Sequence, residues 1–319
     1  MSLYPFYVLL CSSTIRRSVN VTRDGNTKDR KSMTIAFLND EFVPLEEARI
    51  SPMDRGFLFG DGIYEVIPSY GGKLIGLDLH LARLENGLNE IGLNAPWSRG
   101  HLTNVFTELM ERNGNGNLGI YLQITRGVTM NRNHAFPANA TPTLFAYTFD
   151  IPAPVSGDPD KVTHWKVTTR QDLRWQRCHI KSTSLLGNVL HMMEGVNDGG
   201  GEILLFDANN QLTEAAACNV FVVHNNEVKT PPLDQHKLAG VTRDMVLQIL
   251  RAHSSLEVLE TQITKDEVLT ADEVWLSSST KELEPVVSID GEAVGDGRPG
   301  PVWAQAQRLF DLHRFDHFE

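Results

Sequence analysis

The sequence predicts an α+β chain organised as two domains. Hairpin signals and amphipathic helical stripes occur in both halves, and a Pro-containing break without periodicity divides them. The 319 residues suit two cores at about 100–200 residues per domain.

Folded character begins at Ile35. Residues 36–45 read as a hairpin turning at Asn39-Asp40. Residues 62–75 read as a second hairpin, with an alternating strand over 63–70 and a two-residue turn at Gly71-Gly72. Leu77, Leu81, Leu84, Leu88 and Ile91 then form the stripe of an amphipathic helix. A second helix is expected over 99–112, and strands over 118–127 and 143–149. Residues 150–160 (DIPAPVSGDPD) carry three prolines and mark the boundary. Beyond it the pattern gives strands over 161–169, 202–207, 218–224, 227–230 and 273–278, and helices over 242–253 and 301–313. Strand pairing is expected to be mainly antiparallel in both halves. The expected organisation is therefore 1–32 as a disordered or upstream extension, 33–150 as a small domain, 151–160 as a linker and 161–319 as a larger domain.

Composition excludes some functions. A net charge of −11 argues against a broad nucleic-acid surface, which needs a basic face. No run of about 18 apolar residues exists, so no membrane helix is expected. Residues 1–17 have a short apolar run followed, not preceded, by basic residues, a poor match to a signal peptide. Cys11, Cys178 and Cys218 fall in no zinc or disulfide spacing, which suits reduced thiols in the cytoplasm.

Several segments carry candidate chemistry. Lys181 sits in CHIKSTSLL, a stretch with few charges. A lysine drawn into a low-dielectric site loses proton affinity and becomes a Schiff-base nucleophile; a surface lysine is the plain alternative. Glu214 precedes Ala215-Ala216-Ala217-Cys218, small residues against which a flat ligand can lie, and its carboxylate could hold a proton on a heterocycle nitrogen. Leu238-Ala239-Gly240-Val241-Thr242 opens a helix whose free N–H groups suit a phosphate. Ser277-Ser278-Ser279-Thr280 places hydroxyls at a strand end. Arg83 lies on the first amphipathic helix, and Arg132 and His134 share a loop where they could grip a carboxylate. Taken singly, each is as well explained by an ordinary loop, cap or surface charge.

Together, and in this order, these segments resemble the fold-type IV pyridoxal-phosphate enzymes. The resemblance covers nearly all of 34–315. Its most specific parts are 54–66 (DRGFLFGDGIYEV), 172–186 (DLRWQRCHIKSTSLL), 240–244 and 278–285. Tyr64-Glu65 combined with Arg132-x-His134-x-Phe136-Pro137 is most similar to the D-amino acid aminotransferases within that family. The resemblance implies a small N-terminal α/β domain and a larger C-terminal domain with an antiparallel, barrel-like sheet. It implies pyridoxal 5'-phosphate held covalently by Lys181. Glu214 would meet the ring nitrogen, and Leu238 would support the ring. Arg83, the backbone of Val241 and Thr242, Ser279 and Thr280 would hold the phosphate. Tyr64, Arg132 and His134 would bind the substrate α-carboxylate, with Glu65 and His80 behind the cofactor. It further implies a homodimer acting on amino acids and 2-oxo acids. A branched-chain aminotransferase, an aminodeoxychorismate lyase, an (R)-amine transaminase and a non-catalytic cofactor binder remain alternatives. Two departures bear on side-chain preference: the Ala-Ala-Ala-Cys run stands where D-specific members often carry Gly and Ser, and the loop over 126–132 is one residue longer.

Overall fold

The computed structural model describes residues 34–316 except 155, together with 318. The expectations for residues 1–32, Cys11 included, lie outside the described residues.

The first sheet is built from β1 (Ile35–Leu38), β2 (Glu41–Pro44), β3 (Gly62–Tyr70), β4 (Lys73–Leu74), β5 (Leu118–Thr125) and β6 (Thr143–Asp150), in the order β2-β1-β6-β5-β3-β4. Every neighbouring pair is antiparallel. Both tight hairpins form at the expected turns. Asn39 and Asp40 adopt φ of 47° and 71°, the left-handed pair that a two-residue hairpin turn demands. The short helix α1 (Arg55–Phe59) precedes β3, with the Asp54 side chain accepting from the Gly56 N–H. Helices α2 (Leu77–Glu90) and α3 (Arg99–Asn113) bury their stripes against this sheet. Leu81, Leu84 and Leu88 of α2 and Val105, Phe106 and Leu109 of α3 meet Ile63, Ile67, Ile120 and Leu122. Gly87 lets α2 approach closely, since a Cβ there would stand 3.2 Å from Ile63 Cγ2.

The second sheet comprises β7 (Trp165–Gln171), β8 (Glu202–Phe206), β9 (Leu212–Ala215), β10 (Asn219–His224), β11 (Glu227–Thr230), β12 (Glu257–Glu260), β13 (Glu273–Ser278), β14 (Glu282–Ile289) and β15 (Glu292–Ala293). Its order is β12-β11-β10-β13-β14-β7-β8-β9, with β15 on β14. Antiparallel pairs predominate here as expected, but three pairs are parallel: β11 with β12, β14 with β7, and β7 with β8. The last of these arises because α4 (Leu186–Asn197) links β7 to β8 as a crossover, and a parallel pair requires one. Helices α5 (Val241–His253), α6 (Lys265–Leu269) and α7 (Pro301–His313) complete the chain. Much of this sheet is covered on both faces. Phe221, Trp275 and Leu283 pack toward α5 and α7, while Val220, Val222, Val274 and Leu276 pack in a separate core. Strands buried on two faces read as unbroken apolar runs, as in VFVV over 220–223.

Buried Glu273 ties the last helix to the sheet. Its carboxylate accepts the free N–H groups of Val302 and Trp303 at 2.9 and 2.7 Å, and also the Trp275 indole N–H at 2.9 Å. It thus replaces the side-chain cap that Gly300 cannot supply, and a Cβ on Gly300 would collide with it at 2.0 Å. Removing it strands buried donors, each worth about 1–3 kcal/mol. Glu273→Ala is expected to lower unfolding stability by about 2–4 kcal/mol in urea denaturation; a loss inside the error of the midpoint would show that α7 is held by packing alone.

Candidate functional site

A cavity of about 350 Å³ opens between the second sheet, α4, the start of α5 and the beginning of β3. Lys181, Tyr64, Arg83, Glu214, Leu238, Val241, Thr242 and Ser279 all line it. These residues span most of the described chain, so the fold brings them together from distant segments.

Lys181 is positioned by its backbone. The Tyr64 N–H donates to the Lys181 carbonyl at 3.0 Å, and the Thr183 N–H donates to the Gly62 carbonyl at 3.0 Å. These bonds stitch the lysine segment to the start of β3. The Lys181 ammonium then stands 4.2 Å from the centre of the Tyr64 ring.

At another wall, Glu214 is buried and fully engaged. Arg174 Nη1 donates to its Oε1 at 2.5 Å, while the Leu238 N–H and Asn219 Nδ2 donate to Oε2 at 3.0 and 3.3 Å. Burial pushes the Glu214 carboxyl above the usual range, and the Arg174 charge opposes that rise. Arg174 is itself fixed by a two-point contact with Asp172, at 2.9 and 2.7 Å, and Thr213 donates to the same carboxylate at 2.8 Å. Arg174 and Asp172 received no role from the sequence. Their one visible signal is placement within the DLRWQRCHIK run, seven and nine residues before the lysine.

A third region suits a phosphate. Helix α5 begins at Gly240 without a side-chain cap, and Val241 and Thr242 at its start line the cavity. Unpaired N–H groups at a helix start attract anions. Gly240 must lack a side chain, because a Cβ would lie 1.9 Å from Asn219 Oδ1. The buried Ser277 hydroxyl also lines the cavity and has no partner. Arg83 brings the cation. Its Nε and Nη2 grip Glu65 at 2.7 and 2.8 Å, and Nη1 donates to the Ala239 carbonyl at 2.9 Å. Glu65 and His80 stand behind Arg83, outside the lining, joined at 2.8 Å. Burial alone would raise the Glu65 carboxyl, but Arg83 and His80 outweigh it and hold it well below the carboxylate range. Burial also lowers the proton affinity of His80, against the pull of Glu65. Arg83 is thus aimed by a buried, permanently charged partner.

Three expected residues are not brought to this cavity. Thr280 lies half-buried in the turn after β13, outside the lining. Arg132 and His134 are exposed and pack against Phe59, with the Arg132 guanidinium 5.1 Å and the His134 ring 5.3 Å from its centre. Arg55 clamps their loop by donating to the Asn133 and His134 carbonyls at 2.6 and 3.2 Å. That anchorage keeps both side chains away from the cavity of their own chain.

The model of the class IV amino-transferases matches residues 62–289. The D-alanine aminotransferase of Bacillus licheniformis is 39% identical over 269 residues, covering 84% of this chain and 93% of that protein. The Staphylococcus haemolyticus D-alanine aminotransferase is 39% identical over 282 residues, 88% of this chain and 98% of its own. Among solved structures, the branched-chain amino acid aminotransferase of Escherichia coli superposes with a TM-score of 0.81 at 23% identity, covering 88% of this chain and 95% of its own. That of Thermoproteus uzoniensis with norvaline gives 0.77 at 22%, covering 88% and 97%. The structural likeness, at that identity, speaks to fold alone. The chain belongs to the class IV aminotransferases. It is an aminotransferase of the fold-type IV architecture, a pyridoxal-phosphate-dependent class.

The cavity fits that cofactor on its own terms: an amine at Lys181, a buried carboxylate at Glu214, and a helix start with an unpartnered hydroxyl and an arginine for the phosphate. Arg174→Met would leave Glu214 buried without its cation, a loss on the order of 3 kcal/mol for such pairs. Expected is at least a tenfold weaker hold on pyridoxal phosphate, read by fluorescence titration of apoenzyme. Unchanged affinity would remove Arg174 from the site.

Proposed function

We propose that the protein transaminates D-amino acids, passing the amino group of a substrate such as D-alanine to a 2-oxo acid such as 2-oxoglutarate. The observation that carries this reading is the Lys181–Tyr64–Glu214 cavity in a chain 39% identical to D-alanine aminotransferases across nearly their whole length. The branched-chain alternative fits less well, since those proteins match at only 22–23% identity.

Bound in the cavity, pyridoxal phosphate supplies an electron sink for negative charge at the substrate α-carbon. The chain supplies everything else. Lys181 Nζ would hold the cofactor through its amine and, once freed by the substrate amine, would be the base that takes the α-proton and the acid that gives it back. Glu214, kept in place by Arg174, Asn219 and the Leu238 N–H, holds the ring nitrogen. Leu238 and Ala215–Ala217 give the flat ring an apolar bed. Arg83, Val241, Thr242, Ser277 and Ser279 hold the phosphate; Thr280 acts at most through the turn that carries Ser279. Product leaves before the second oxo acid enters, so turnover is ping-pong.

Tyr64 provides one part of the carboxylate trap. Arg132 and His134 provide the rest from a second copy of the chain in a homodimer. The exposed apolar face of α4 supports that assembly. Leu186 is 70% exposed, and Val189, Leu190, Met193 and Val196 are exposed beside it, with Trp175 near the cavity mouth. Clustered apolar exposure of this kind marks an association surface. The free thiols of Cys178 and Cys218 suit a reducing cytoplasm, and among the described residues no helix is long and apolar enough to cross a membrane.

Mixed subunits test the shared site. Lys181→Ala and Arg132→Ala chains are each expected to be nearly inactive with D-alanine and 2-oxoglutarate. After co-refolding, half of the dimers are hybrids with one intact site, so activity should return to about one quarter of wild type. No recovery, although hybrid dimers form, would place Arg132 outside the trap. Faster turnover of L-leucine than of D-alanine by the wild type would overturn the D-specific reading.

A further inference from the structure

The ends of α5 and α7 meet at the surface and gather three side chains that bind metals. His253 is the last residue of α5 and His313 the last of α7. Their rings stack with centroids 3.7 Å apart and planes 10° from parallel. Asp316 follows in the turn after α7, with Oδ2 2.7 Å from His313 Nδ1. One donor atom from each lies within 4.8 Å of the others, the sole such trio among the described residues. None of the three lines the Lys181 cavity.

We propose that His253, His313 and Asp316 form a site for a borderline divalent transition ion, zinc foremost. Two imidazoles and a carboxylate are the donors such ions favour, whereas magnesium and calcium favour oxygen alone. The position is also favourable electrostatically. Two helix C-termini converge there, and each carries partial negative charge that attracts a cation. The turn bearing His313 and Asp316 is held firmly, because buried Arg314 between them binds Glu282 and lies 5.3 Å from the Tyr70 ring centre.

The ion enters the short contact between His313 Nδ1 and Asp316 Oδ2. The neutral ring presents Nδ1 to the ion by carrying its single hydrogen on Nε2, and the carboxylate turns its oxygen from the ring to the ion. The two atoms then part to about 3.3 Å, the spacing of neighbouring ligands around tetrahedral zinc. His253 is exposed, so its ring can swing out of the stack and aim a nitrogen at the ion. Water takes the fourth position. The ion would pin the last helix to α5, at a distance from the transamination chemistry.

The test is titration of holoenzyme, stripped of metals by a chelator, with zinc chloride and separately with magnesium chloride. Expected is one zinc per chain with an affinity on the order of 10 μM, a zinc-dependent rise in Tm, and neither effect with magnesium. His253→Gln and Asp316→Asn should each weaken zinc binding at least tenfold and remove the Tm rise, with zinc-free transamination unchanged. Equal zinc binding and an equal Tm rise in both variants, or no saturable zinc binding to the wild type, would overturn the site.

Discussion

The buried ion pair between Glu214 and Arg174 is the interaction on which the rest of the site depends. A carboxylate taken out of water without a partner picks up a proton, and a protonated Glu214 could not keep positive charge on a ring nitrogen. Arg174 counters that tendency, and Asp172 counters Arg174 in turn. The result is a chain of alternating charges closed by hydrogen bonds from Asn219, Thr213 and the Leu238 N–H. One such network fixes four segments at once: the run before Lys181, strand β9, the start of β10 and the loop before α5. Glu214, Lys181 and the start of α5 therefore inherit their spacing from a single electrostatic arrangement.

The first sheet contributes in a different manner. Its strand β3 gives backbone bonds to the Lys181 segment and carries Tyr64 and Glu65 on adjacent positions. Alternation along a strand turns these to opposite faces. Tyr64 thereby meets Lys181 in the cavity, while Glu65 points back to aim Arg83. Two neighbouring residues thus serve two different walls of the cavity, one beside Lys181 and one through Arg83. This division of labour explains why an unusual buried carboxylate, held charged by Arg83 and His80, lies so near the site without lining it.

The parts legible in the sequence were those whose chemistry or periodicity stands out locally. The 4-3-4-3 stripe of α2, the Asn39-Asp40 turn and the helix start at Gly240 each follow from a short window. Lys181 and Glu214 stand out as charged groups among small or apolar neighbours, and the structure brings both to one cavity. Helix α4 escaped although Leu186, Val189, Leu190, Met193 and Val196 recur at helical spacing. Their face is exposed in the chain, and the buried positions are His191 and Gly195, which carry no apolar stripe of their own. The parallel pairing of β7 and β8 followed from that missed crossover. Arg174 escaped because its meaning lies in partners 40 residues away, at Glu214. Arg132 and His134 show another limit: an anchored loop places them outside their own cavity, so their proposed role belongs to an assembly that one sequence does not display.

The central claim is that this cavity holds pyridoxal phosphate on Lys181 and opens it to D-amino acids. The visible absorption spectrum of the purified protein, recorded before and after adding D-alanine and, separately, L-leucine, tests it most directly. The account predicts a yellow band that D-alanine bleaches and L-leucine leaves intact. A band bleached by L-leucine alone, or no band at all after incubation with pyridoxal phosphate, would contradict it.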